Sequence, residues 1–84
     1  MIKILYFARI KEAIGIGDES LALPASVRDI SGLTSWLRKR GDRWESELAP
    51  GKALRVAVNQ TMVGMENQIH DGDEIAYFPP VTGG

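Results

Sequence analysis

The sequence of 84 residues predicts an α+β fold: a mixed sheet of about five strands packed on one main helix. Three observations carry this. Runs rich in β-branched and aromatic residues stand near both ends, "IKILYFA" (Ile2 to Ala8) and "EIAYF" (Glu74 to Phe78), and both read as strands. Between them Val27, Ile30, Leu33 and Leu37 recur at helical spacing. The segments are separated by Gly, Pro and Asp-Gly signals, which mark turns rather than long linkers.

Taken in order, Ile2 to Ala8 gives the first strand, and "RIKEAIG" follows with helix formers closed by Gly15, one or two turns at most. "DESLALP" (Asp18 to Pro24) alternates and stops at proline, so it is a second strand, hairpin-paired with the first. The main helix has two candidate starts. Ser26 is placed to cap it with Asp29 three residues later, as in a capping box, but Gly32 weakens that span and leaves a start nearer Ser31 open. Gly41 after "RKR" is its expected stop, and "WESELAPG" (Trp44 to Gly51) reads as a short helical turn. "ALRVAVN" (Ala53 to Asn59) alternates as a third strand, a very short one follows around Met62 and Val63, and Asp71-Gly72 turns the chain into the last. A hairpin, a crossing helix and further strands make the layout of a β-grasp fold. There the first and last strands lie side by side, parallel, at the centre of the sheet. The division expected is a domain over residues 1–78 and a projecting tail over 79–84.

Composition narrows function by exclusion. Ten basic and 11 acidic residues leave a net charge of −1, so binding to nucleic acid or a membrane surface by bulk electrostatics is not expected. The basic cluster Arg38 to Arg43 falls where a helix ends, where cations complement the helix dipole. With no cysteine and a single histidine, His70, disulfides, a thiol nucleophile and a multi-histidine metal site are all off the table. "HDGDE" gathers a histidine and three carboxylates in five residues, but it lacks a metal-loop spacing and is accounted for as a turn before a strand; no metal is expected. "GIGDES" leads into a strand without the lysine or glycine spacing of a phosphate loop. Neither a secretory leader nor a run near the ~20 apolar residues of a membrane span is seen, so the expected location is cytoplasmic.

Side-chain alternation points to an interface. Ile2, Ile4 and Tyr6 share one face of the first strand and Lys3, Leu5 and Phe7 the other; in the last, Ile75 and Tyr77 oppose Glu74, Ala76 and Phe78. Lys3 and Glu74 mark the faces that meet water, yet Phe7 and Phe78 lie on them, near the root of the tail, and Met62 is placed to join them. Exposed apolar clusters mark binding surfaces. Trp36 and Trp44 are assigned to packing.

The tail, Pro79, Pro80, Val81, Thr82, Gly83 and Gly84, is the remaining candidate. Two prolines fix φ and favour an extended departure from the domain. Six residue steps beyond Phe78 reach roughly 20 Å if extended. Gly83 and Gly84 carry no Cβ, so they suit a narrow channel. An α-carboxylate, with a pKa of about 3.3–3.7, is an anion at neutral pH and a poor electrophile. Acyl chemistry on it therefore requires activation, most simply as a mixed anhydride with AMP made by a partner.

"IKILYFAR", "DRW" (Asp42 to Trp44), "AVNQT" (Ala57 to Thr61) and above all "DGDEIAYFPPVTGG" resemble the small, sulfur-carrier subunits of molybdopterin synthase, which are ubiquitin-like β-grasp proteins. The resemblance implies that an E1-like adenylyltransferase, using ATP, adenylates Gly84, that a sulfurtransferase system converts it to a thiocarboxylate, and that the tail enters the large synthase subunit, where its sulfur attacks the pterin precursor. It implies a heterotetramer with two large subunits, no cofactor bound by this chain, catalytic side chains only in the large subunit, and partner contacts through Phe7, Met62 and Phe78. Three rival readings stand beside it: a carrier for another product such as the thiazole of thiamin, a protein modifier joined through Gly84 to lysines, and a plain binding module whose tail is incidental.

Overall fold

The computed structural model describes residues 1–49 and 53–79. Its elements are β1 (Ile2–Tyr6), α1 (Ala8–Ile14), β2 (Asp18–Leu21), α2 (Ile30–Arg38), α3 (Asp42–Glu47), β3 (Arg55–Val58), β4 (Thr61–Val63) and β5 (Glu74–Phe78). The five strands lie in the order β2-β1-β5-β3-β4. β1 and β5 are parallel neighbours at the centre, and every other pairing is antiparallel. This is the β-grasp layout read from the order of segments.

Strand alternation builds the core on one face. Ile2, Ile4, Tyr6, Val56, Val58, Ile75 and Tyr77 point from the sheet against Ile30, Leu33 and Leu37 of α2. Tyr6 and Tyr77 are register neighbours whose rings stack 6.2 Å apart. The Tyr77 hydroxyl lies 2.9 Å from Thr34 Oγ1, which also donates to the Ile30 carbonyl, so the one buried polar side chain of α2 is satisfied twice.

The helix region departs from the expected boundaries. Asp29, not Ser26, caps α2: its Oδ1 accepts from the Gly32 N–H at 2.7 Å. The chain before it is turned by a Val27 N–H to Pro24 carbonyl bond. The Arg28 carbonyl accepts from the Ile69 N–H and Asp29 bridges to Gln68, so the backbone is engaged outside the helix up to Asp29 and α2 begins at Ile30, close to the later of the two expected starts. Gly32 thus belongs to the first turn, where a Cβ would meet Asp29 Oδ1 at 3.2 Å, rather than weakening the middle. The end shifts likewise. α2 stops at Arg38 with Lys39 as its cap, and Gly41, at φ 152°, serves as the N-cap of α3, which starts two residues before Trp44. Of the expected turn over Trp44 to Gly51, Pro50 and Gly51 lie outside the described residues.

Two turns set the sheet's register. Asn59 and Gln60, both at positive φ, form a two-residue link between β3 and β4 of the kind that matches strand twist. Gly72, at φ 91°, completes the Asp71-Gly72 turn into β5. The Asp73 carboxylate accepts from the His70 N–H and from Asn59 Nδ2, so the acidic segment is tied into turn and hairpin bonds.

Candidate functional site at the root of the tail

The outer face of the sheet is read row by row. Leu5, Ala76, Ala57 and Met62 follow one another across β1, β5, β3 and β4, each opposite the next. In the row nearer the end of β5, Phe78 faces Arg55. Phe7 continues β1 beside it, its N–H donating to the Tyr77 carbonyl at 3.1 Å. The opposite end of the face is polar, with Lys3 flanked by Ser20 and Glu74. The apolar half of this face therefore lies where the chain leaves the sheet.

Phe7 and Phe78 meet edge to face with centroids 5.8 Å apart, as their shared face predicted. Phe7 remains 45% exposed, and Phe78 is half-buried. Local backbone holds Phe7 there. Ala8 adopts φ 52°, a left-handed conformation uncommon outside glycine, and it turns the chain abruptly from β1 into α1. The Phe7 carbonyl then accepts the first helical bonds from Ile10 and Lys11. Met62 is 51% exposed on the same face, but two strands from Phe78, or about 10 Å at ordinary strand spacing. It shares the surface without joining the ring pair.

The sequence reading did not single out Leu5, Arg55, Ala57 or Ala76. Ala57 and Ala76 are recessed between Phe78 and Met62 and give the face an apolar floor. The alternation of "ALRVAVN" carried the signal, but it becomes a surface only once β3 is known to lie beside β5. Pro79 is half-buried; the assignments to Pro80, Val81, Thr82, Gly83 and Gly84 lie outside the described residues.

The ring pair and its apolar neighbours carry no titratable group. Phe7, Phe78, Met62 and the two alanines offer no nucleophile, acid or base. Directly beneath, burial pushes the Tyr77 phenol above its ordinary range, against a smaller opposing pull from the Thr34 hydrogen bond. Burial and then the hydrogen bond to Glu19 do the same for Tyr6, so both stay neutral. The tryptophans are packing, as read. Trp44 packs edge to face on Tyr6, and the Arg40 guanidinium lies 5.0 Å from the Trp36 ring and 4.7 Å from that of Trp44 while bonding Glu19 at 2.7 Å. Arg40 thus serves more than a helix dipole; it clamps α2 and α3 to β2. Among the described residues no helix is long and apolar enough to cross a membrane.

Fold and site together define a β-grasp protein that presents an apolar sheet face at the exit of its central strand. The chain belongs to the ThiS family, whose model matches residues 4–84. It is 43% identical, over the whole of both chains, to the molybdopterin synthase sulfur carrier subunit of Escherichia coli (strain K12). It is 40% identical, again over the whole of both, to the protein of the same name from Haemophilus influenzae. Among solved structures it superposes on SAMP1 from Haloferax volcanii with a TM-score of 0.78, covering 99% of this chain and 98% of that one at 23% identity, a likeness of fold.

Proposed function

We propose that this protein is the sulfur carrier of a molybdopterin synthase, delivering sulfur from its C-terminal Gly84 to the pterin precursor held by a large subunit. The observation that carries the reading is the match, over full length and at 43% identity, to a sulfur carrier subunit, in a chain whose outer face is apolar where the tail departs. The division of labour follows. Residues 1–78 form the domain that docks, and residues 79–84 form the arm that reacts.

The chemistry belongs to the terminus and its partners. The Gly84 carboxylate attacks the α-phosphorus of ATP in an E1-like adenylyltransferase, and pyrophosphate leaves. A sulfur nucleophile from a sulfurtransferase system then displaces AMP, giving a thiocarboxylate. Adenylation makes the carbonyl electrophilic, and replacing oxygen by sulfur makes the terminus a strong nucleophile toward the pterin. This chain supplies no catalytic side chain to either step and binds no cofactor; ATP is bound by the adenylating partner. Two carriers with two large subunits make the working assembly, a heterotetramer in the cytoplasm.

Intact-mass measurement of the protein isolated with its natural partners tests this. One oxygen replaced by sulfur, lost when Gly84 is removed, is the expected result. Transfer to a pterin rather than a thiazole acceptor separates it from other carriers, and conjugates to lysines would mark a modifier instead. Unmodified chain in the presence of ATP, adenylating partner and sulfur donor would overturn the reading.

A further inference from the structure

A carrier must reach the right acceptor protein, and an apolar face alone discriminates poorly because apolar contacts are non-directional. Two charges border the apolar half of this face: Asp18, opposite Leu5 on the edge strand β2, and Arg55, beside the ring pair. Arg55 opens β3 directly opposite Phe78, is exposed, and borders Ala57 and the ring pair. Among the described residues it makes no ion pair; the same holds for Arg28 and Arg43, which lie outside the strands of this face, whereas Arg9, Arg38 and Arg40 are each matched with a glutamate. The acids of the outer face are out of reach. Asp18 lies three strands away, about 14 Å at ordinary strand spacing, and Glu74 sits at the far end of β5 beside Lys3.

A depression of about 260 Å³ of mixed polar and apolar lining lies between the start of β3 and β4, bordered by Leu54, Arg55 and Met62, so the charge stands at its rim. A guanidinium is more weakly hydrated than an ammonium and offers a planar fork that fits a carboxylate with two parallel hydrogen bonds. We propose that Arg55 is the specificity-determining charge of this face: it pairs with a carboxylate of the large subunit, while Phe7, Phe78 and Ala57 beside it take the apolar part of the same segment. This rests on the carrier reading above and adds to it the chemistry of the partner's contact.

The test is the affinity of the intact protein for its natural large subunit at low and high salt, for wild type, Arg55→Gln and Arg55→Glu, with adenylation by the adenylating partner measured in parallel. Arg55→Gln should weaken binding severalfold and flatten its salt dependence, and Arg55→Glu should weaken it roughly tenfold or more, since like charges facing each other are repelled. Melting temperatures should stay near wild type because the side chain is exposed. Unchanged affinity in Arg55→Glu overturns the proposal. So does a loss of adenylation with large-subunit affinity intact, which would assign the charge to the other partner. If wild type itself neither binds the large subunit nor passes sulfur to a pterin, the carrier reading falls and takes this inference with it. Wild-type binding with indifferent Arg55 variants removes the inference alone.

Discussion

Replacing Phe7 by alanine separates docking from folding. A phenylalanine side chain presents ~200 Å², and Phe7 keeps 45% exposed, so about 90 Å² remains for a partner to cover. At ~25 cal/mol per Å² that is about 2 kcal/mol, roughly a 40-fold rise in Kd. The covered half rests against Phe78, so the variant should also melt lower, by about 1–2 kcal/mol after allowing for burial in the unfolded chain. A control is therefore needed that loses similar stability away from the face. Asp29→Ala removes the N-cap of α2 and costs about 1 kcal/mol while leaving every outer-face residue in place. Titration calorimetry against the large subunit, with melts of both variants, gives the comparison. The reasoning is refuted if Phe7→Ala binds within twofold of wild type, or if Asp29→Ala weakens binding as much.

Four further outcomes follow from the same geometry. Phe78→Ala should weaken partner binding more than folding, read by the same titration and melt; unchanged affinity with a large drop in melting temperature would make Phe78 a core residue. Deleting Gly84 should abolish sulfur transfer with an unaltered circular dichroism spectrum, and retained transfer would sink the carrier reading. Thr34→Val leaves the buried Tyr77 hydroxyl without its side-chain partner and should cost about 2 kcal/mol, part of which Tyr77→Phe in the same chain restores; a double variant no more stable than Thr34→Val would refute the coupling. The Tyr77 phenol has a folded-state pKa raised by burial, so its contribution is complete below the unfolded value near 10 and is lost as pH rises above it, at about 1.4 kcal/mol per unit. Tyr6 acts in the same direction. Denaturant melts between pH 9 and 11 should show this decline, and a flat profile would contradict it.

Much of this was legible where one local rule decided the outcome. The last strand, Glu74 to Phe78, matches residue for residue because Asp-Gly before it and proline after it leave no other bounds. The inward set Ile2, Ile4, Tyr6, Ile75 and Tyr77 followed from period-two alternation. Misreadings arose where two rules competed. The capping pattern at Ser26 and the glycine at 32, which argued for a start nearer Ser31, pulled in opposite directions, and only the pairing of Arg28 and Asp29 with Gln68 and Ile69 places the start at Ile30. Gly41 both ends one helical signal and opens the next, and spacing cannot say which. The site was half legible for a related reason. Phe7 and Phe78 stand out as aromatics in the wrong register, but Ala57, Ala76 and Arg55 are unremarkable until strand order places them beside the rings.

The arrangement of β1 and β5 explains how one small sheet can be stable and still present an apolar outer face. Residues of these central strands alternate between two tasks: Ile4, Tyr6, Ile75 and Tyr77 fill the core, while Leu5, Phe7, Ala76 and Phe78 face outward. Because side-chain direction has a period of two, each outward residue can change with little effect on the inward ones. β5 is paired on both sides, with β1 as far as Tyr77 and with β3 as far as Phe78. Its end is therefore a fixed point of departure, with Phe7 on one side and Arg55 on the other. A tail leaving from a fraying edge strand would begin at a variable place relative to its docking surface. One leaving from the sheet's centre starts in register with it, so if the face docks as proposed, its contacts would set where the terminus can reach. That is the property a carrier needs when the reaction takes place in another protein.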